Sequence, residues 1–345
     1  MLEPYPTLEQ GRRRPIPWFA WGPMEAGVRI DDLVQKTVVF IGSSPNGIFV
    51  PAGTGFVTVS LYSETVAWQS VITARHVIES VPSDIVTIRL NMLVGGACTV
   101  KTKKDEWVFH PNQAIDLAAC PTYLAKDYFD DVLHFVIVNR DSERENDPAW
   151  MECVLTDEIT KEQRVGVGDE IHITGMFVSH IGETRNRPIV RIGTIAAMPD
   201  EPLETTYGTH DAFLVEVRSI DGLSGSPVCI DLQRRELPHS MPARPLPHPL
   251  ERRRNVCLVG VVLGYNGIVN PNDTLEIKDE RDSSLKKTWV PMNTGIAVVL
   301  PARYIAETTE QPAMAEIRAK VLSEYNKGNS RRFVPTAAEP IGMKE

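Results

Sequence analysis

Asp221-Gly222-Leu223-Ser224-Gly225-Ser226-Pro227 sets one serine in a glycine-flanked turn that leads into an apolar strand. Two upstream stretches give it meaning. Thr73-Ala74-Arg75-His76-Val77 ends an apolar run on a histidine, and Ile115-Asp116-Leu117-Ala118 sets an aspartate among apolar neighbours. A hydroxyl, an imidazole and a carboxylate are the groups that together make a serine nucleophilic at neutral pH. His76, Asp116 and Ser224 follow one another at separations of 40 and 108 residues. The first two therefore fall in one set of strands and the serine in a second, which predicts a cleft between the sets.

Both sets are legible as short β-branched runs bounded by turn residues. The first comprises 38–41, 55–60, 67–73, 85–90, 107–110, 116–120 and 132–138. The second comprises 170–177, 189–197, 212–218, 226–231, 256–263 and 293–300. Acidic and polar residues from Asp141 to Asp147 separate them, so the pattern predicts an all-β body of two barrels. Residues 1–33 read as an extended arm broken by Pro15, Pro17 and Pro23, with Trp18 and Trp21 free to pack on the body. The first barrel then spans 34–155 and the second 156–306, with a long proline- and arginine-rich loop at 233–254 and a charged loop at 270–287. Beyond Pro301 an apolar period near 3.6 through Ala313, Ile317, Val321 and Tyr325, widened by Met314 and Leu322, predicts a helix docked on the second barrel. Residues 307–345 are thus helix and tail, frayed from Gly328 onward.

Composition narrows the partners. Of the 345 residues 42% are apolar and 23% charged, which suits a packed globular protein. The net charge of -9 opposes a phosphate-gripping surface, because nucleic-acid binding draws on clustered cations. Five cysteines at wide spacing, with no Cys-x-x-Cys pair, argue against a disulfide framework or a zinc site. No apolar run reaches membrane-spanning length and the N-terminus lacks a secretory core, so a cytoplasmic location is expected.

With these motifs in place the chain resembles the trypsin-like serine peptidases of the chymotrypsin fold, in the disulfide-free bacterial and viral style of the HtrA type. The histidine motif, Asp116-Leu117-Ala118 and Gly222-Leu223-Ser224-Gly225-Ser226-Pro227 carry the resemblance. Val167-Gly168-Asp169-Glu170, Arg191-Ile192-Gly193-Thr194-Ile195, Leu258-Val259-Gly260-Val261 and Asn293-Thr294-Gly295-Ile296-Ala297 extend it over residues 37–306. The resemblance implies two six-stranded antiparallel barrels, followed here by a C-terminal helix. It also implies a serine endopeptidase with His76 as base, Asp116 as its orienting acid and Ser224 as nucleophile. The backbone amides of Gly222 and Ser224 would form the oxyanion hole, and Arg218, Leu263, Gly264, Tyr265 and Gly295 would wall the specificity pocket. No metal or cofactor is implied; the expected partners are a protein or peptide substrate and a regulatory protein, not nucleic acid or membrane.

Other candidates fit less well. Ser226 lies two residues past the nucleophile and should point away from the cleft. His110, His134, His172 and His180 lack the flanking pattern, and Cys229 sits in a strand with no histidine motif of its own. One position departs from the secreted digestive relatives, which carry an aspartate directly before the serine that pairs with a newly cut N-terminus. Here that residue is Leu223, so the oxyanion turn is expected either to be permanently formed or to be ordered by another contact, with the arm or a partner as candidates. The alternative reading is a silent or partner-activated module acting in protein recognition within a stress or defence system.

Overall fold

Strands such as Val38-Val39-Phe40-Ile41 are apolar on both faces, and burying both requires curved sheets that close around a core. The computed structural model describes residues 32–61, 67–92, 95–122, 135–138, 154–205, 208–218, 222–232, 256–268, 274–278, 285–289, 292–326 and 336–337. Residues 1–31, the stretch 141–147, the loop 233–254, His134 and Cys153 lie outside the described residues. Asp32–Glu345 forms one compact unit.

The first sheet contains β1 (Val38–Ser43), β2 (Val50–Leu61), β3 (Ala67–Thr73), β4 (Ile85–Asn91), β5 (Ala97–Lys103), the two-residue β6 (Val108–Phe109), β7 (Ala118–Thr122) and β8 (Phe135–Val138). The second half contributes β9 (Glu170–Gly175), β10 (Ile189–Ala197), β11 (Leu203–Thr205), β12 (Gly208–His210), β13 (Phe213–Glu216), β14 (Pro227–Asp231), β15 (Val256–Ile268), β16 (Thr274–Lys278), β17 (Leu285–Trp289) and β18 (Met292–Pro301). A last strand, β19 (Thr336–Ala337), follows the helices. Strands β10-β13-β18-β15-β14-β9 close into a barrel, and the first sheet runs β19-β5-β4-β1-β2-β3-β7-β6. Counting the six principal strands of each half in chain order, first pairs with second, second with third, third with sixth, fifth with fourth and fourth with first in both. That repeated order is the chymotrypsin-like arrangement.

The first half differs from the expected closed six-stranded barrel. It is a curled sheet, open between β5 and β7. Closure would need those two strands to pair, but β7 hydrogen-bonds to β6 (Val108↔Ala119) and β5 to β19 (Thr336↔Thr99), so their edges are already engaged. Strand β8 also departs from the antiparallel rule, lying parallel to β2. The charged stretch 270–287, expected as a loop, contains the paired strands β16 and β17. Residues 32 and 33, expected to end the arm, begin a helix, α1 (Asp32–Thr37), whose Thr37 hydroxyl donates to the Val34 carbonyl at 2.8 Å.

Three further short helices matter for the site: α2 (Arg75–Ser80), α3 (Asp157–Gln163) and α4 (Arg303–Thr309), followed by the longer α5 (Pro312–Asn326). The terminal helices have their main contacts with β7 and β6, and α4 also reaches the second half through Arg303 and Tyr304 on Asp211. The stripe that docks them is Ile305, Met314 and Ile317, which join the core of Ile115, Leu117 and Ala119, whereas Ala313 faces solvent. Met314 is fully buried in that shared core, the apolar contribution that holds α5 down.

A buried polar clamp ties the halves together away from the cleft. Arg89 of β4 is fully buried and donates to Asn186 Oδ1 at 2.7 Å and to the Glu183 carbonyl at 2.8 Å. Asn186 answers with its side-chain amide to the Arg89 carbonyl at 2.7 Å, and its backbone exchanges bonds with the Asn91 side chain at 2.7 and 3.2 Å. Buried charge is tolerated only when hydrogen-bonded in this way.

Candidate active site

Asp116 is held by its neighbours before it holds anything itself. Ile115 and Leu117 on either side are buried, and the Leu117 amide donates to the Ile115 carbonyl at 3.0 Å, which bends the chain at the aspartate and turns it out of the core. His76 lies in the first turn of α2, whose start is fixed by the Arg75 amide donating to the Asp116 carbonyl at 3.3 Å. The carboxylate then engages the histidine twice. The His76 amide donates to Oδ1 at 2.9 Å and the ring Nδ1 to Oδ2 at 2.5 Å. Because a carboxylate only accepts, the ring proton sits on Nδ1, and Nε2 is the basic nitrogen. The carboxylate is mostly shielded at 12% side-chain exposure, while the imidazole is open at 38%.

The nucleophile turn crosses from the second half onto the first. Gly225 has φ +83, and a Cβ there would lie 2.1 Å from the Thr54 carbonyl oxygen and 2.3 Å from Thr73 Oγ1, with the Ala74 amide at 3.2 Å. Only glycine brings Ser224 this close to the segment that precedes His76. Thr54 clasps the turn with three bonds. Its amide donates to the Ser224 carbonyl at 3.0 Å, its hydroxyl donates to the Gly222 carbonyl at 2.6 Å, and the same hydroxyl accepts from the Met176 amide at 2.9 Å. Leu223 is fully buried in the core of the closed barrel. An apolar anchor and a threonine clasp thus order the turn where an ion pair is lacking.

His76 and Asp116 are therefore brought together as expected, and the backbone of Ser224 beside them. The Ser224 hydroxyl has a different partner: it donates to the Leu263 carbonyl at 2.7 Å. Leu263, Gly264 and Tyr265 lie on β15 where it pairs with β18, with Gly264 opposite Val298 and Tyr265 opposite Ala297. Gly295, at φ +80, has open space where a Cβ would project, and its carbonyl accepts from the Val217 amide at 2.7 Å, next to Arg218. Arg218 itself is exposed. Ser226 is buried against Gly175 inside the barrel, away from the cleft, as strand alternation predicts.

Two residues near the site escaped the sequence reading. Thr54 is one; Gly53-Thr54-Gly55 reads as a glycine-bracketed strand, and only the hydroxyl among apolar neighbours hints at a polar task. His210 is the other. It ends β12 and is 4% exposed. Burial holds its pKa below the ordinary histidine value, although Asp116, Asp211 and the Ala114 carbonyl nearby pull the other way. His110, by contrast, is structural: Nε2 lies 3.1 Å from Glu307 and its ring meets Tyr304 edge-on. The Cys98 thiol is pushed up to about 11 by burial, against the pull of Arg89, and Cys229 is buried in β14, so neither offers a thiolate. Among the described residues no cluster of His, Cys, Asp and Glu is arranged to hold a metal ion.

The Thr54 clasp sets a first expectation. Thr54→Val keeps the shape but strands the Met176 amide and the Gly222 carbonyl, which should cost about 1–3 kcal/mol of stability. Urea unfolding checks it, and Thr54→Ser should restore the loss.

Comparison with known proteins finds likeness in structure alone. No family model matches the sequence, and no curated protein does. Among solved structures, the MamO protease domain from Magnetospirillum magneticum in its apo form is 15% identical, covering 82% of this chain and 100% of its own, at a TM-score of 0.45. The active form of the Rv3671c protease from M. tuberculosis is 16% identical over 81% of each chain, at a TM-score of 0.38. The inactive form of the same protease is 15% identical over 81% of this chain and 89% of its own, also at 0.38. At that similarity these chains add nothing to the fold that the strand order already defines.

Proposed function

We propose that this chain is a serine endopeptidase that hydrolyses peptide bonds through an acyl-enzyme. The observation that carries the reading is the double engagement of His76 by Asp116, 2.9 Å at the amide and 2.5 Å at Nδ1, beside a serine turn locked onto the same strands. Ser224 leaves the Leu263 carbonyl by rotation about its Cα–Cβ bond and passes its proton to His76 Nε2 as Oγ bonds to the substrate carbonyl carbon. Asp116 stabilises the imidazolium so formed. The carbonyl oxygen, now an anion, is received by the amides of Gly222 and Ser224. Collapse breaks the peptide bond, the amine leaves with the proton from His76, and water repeats the sequence to release the acid. None of these steps calls for a metal or an organic cofactor. The substrate side chain enters between Leu263-Gly264-Tyr265 and Gly295, with exposed Arg218 outside the selection.

A fluorophosphonate probe tests the nucleophile directly. One adduct on Ser224, absent from Ser224→Ala and from heat-unfolded protein, is expected; an unlabelled folded protein overturns the reading. A second reading draws on the bond from Ser224 Oγ to Leu263 O. In it the hydroxyl stays parked on the carbonyl until a protein partner or substrate turns it, so the purified chain labels only when cell extract is added.

A further inference from the structure

Thr54 on β2, Phe40 on β1 and Arg89 on β4 stand directly opposite one another in the first sheet, Phe40 paired with each of the other two. Paired residues point to the same face, so at the usual strand spacing these side chains form a row about 10 Å long. The row faces away from the core that holds Val39, Ile41 and Ile88. Residues 176–187, which lead from β9 to β10, are laid along it. Most of this segment is exposed, and its buried residues, Met176, Ile181 and Asn186, meet the row in order. The Met176 amide donates to Thr54 Oγ1 at 2.9 Å, Met176 and Ile181 share an apolar cluster with Phe40, and Asn186 bonds reciprocally with Arg89 at 2.7 Å each way. The Arg187 amide donates to the Ile181 carbonyl at 3.1 Å, which makes the segment double back as one piece.

The two ends of this segment do different things. At the near end it backs the oxyanion turn: a Cβ on Gly222 would lie 2.8 Å from Val178 Cγ2 and 3.2 Å from both the Cε and the carbonyl oxygen of Met176. The Gly222 carbonyl also accepts from the Thr54 hydroxyl that holds Met176. A turn seated this closely moves with the segment. At the far end stands Arg89, fully buried, whose two partners among the described residues are neutral: the Asn186 amide oxygen and the Glu183 carbonyl. A buried cation without an opposite charge is costly, and leucine or methionine would fill the place without that cost. What neither could supply is a rigid fork of donors that pins the segment at two points.

We propose that Arg89 is a positioning residue for the oxyanion turn: it pins the far end of segment 176–187, and the segment carries that restraint to Met176 and Val178, which hold Gly222 in place. This role rests on the peptidase reading, but the order of the turn can be measured without turnover.

The experiment follows amide hydrogen exchange by mass spectrometry in Ser224→Ala protein, together with kcat and KM in the active chain. Arg89→Met keeps most of the bulk and removes the donors. Exchange should quicken by about tenfold or more in 176–187 and in 222–226, while 67–80, which carries His76, keeps its protection. In the active chain kcat should fall by about 10- to 100-fold, short of the outright loss of an oxyanion donor, with KM nearly unchanged. The rising limb of the pH profile, which belongs to the base, should stay where it is. Arg89→Lys, which keeps a charged donor without the fork, should regain part of both losses. A lowered melting temperature with exchange at 222–226 and kcat unmoved marks a clamp that only ties the halves together, and overturns the proposal. Should Arg89→Met fail to fold, Asn91→Ala, which removes both bonds to the Asn186 backbone and leaves Arg89 in place, carries the same expectation. If the wild-type chain neither hydrolyses peptides nor labels with fluorophosphonate, the peptidase reading falls, while the exchange still decides whether Arg89 orders the turn.

Discussion

Ser224→Ala and His76→Ala should each lower peptide hydrolysis by about 10⁶-fold, and Asp116→Ala by about 10⁴-fold. The three losses should not add, because the groups act as one unit and removal of any one disables the others. Stability separates them where kinetics cannot. Ser224 and His76 make few buried contacts through their side chains, so their alanine variants should melt close to the parent. Asp116 also accepts the His76 amide and thereby fixes the start of α2, so Asp116→Ala should lose about 1–3 kcal/mol as well. Rates on a fluorogenic peptide, paired with thermal melts of the same samples, check both halves. A Ser224→Ala protein that retains more than a hundredth of the rate would sink the nucleophile assignment.

Gly225→Ala should be severely damaging for a single methyl group. The new carbon would lie 2.1 Å from the Thr54 carbonyl oxygen and 2.3 Å from Thr73 Oγ1, and the backbone there sits at φ +83, where a side chain is strained even in open space. Neither neighbour can yield cheaply. Thr54 is bonded to Gly222, Ser224 and Met176, and the Thr73 hydroxyl donates to the Thr54 carbonyl at 2.7 Å. A loss of about 3 kcal/mol or more is expected in the urea midpoint at unchanged m-value. The displaced turn should also lower kcat, since Ser224 moves with it. A loss under about 1 kcal/mol would mean that the turn does not rest on β2 in solution.

The sequence shows His76, Asp116 and Ser224 so clearly because each lies in a short local pattern: a strand ending, an apolar sandwich, a glycine turn. Strand identity was legible for the same local reason, since β1, β3, β4 and β9 each carry their β-branched residues in one run. Strand β5 was not, because Gly95-Gly96 precede it and Lys101 and Lys103 dilute its alternation. Whether the first half closes depends on which partners β5 and β7 take, β19 and β6, and the β5–β19 pairing, Thr336 with Thr99, joins segments so distant in the chain that it leaves no local trace. The docking of α4 and α5 on β7 was hidden likewise. An apolar stripe states that a helix is covered and is silent on what covers it. Thr54 and His210 are the instructive omissions at the site. Each is a single polar residue whose neighbours at the site come from segments distant in the chain.

The grip of α4 on the acid loop has a consequence for synthesis. A growing chain that has passed residue 224 already contains His76, Asp116 and Ser224, yet it lacks β15, β18 and the segment whose Glu307 and Gln311 bond His110 and Phe109 ahead of Asp116. Domains assemble as the ribosome delivers them. The loop that carries Asp116 therefore gains these braces only once translation has moved past residue 311.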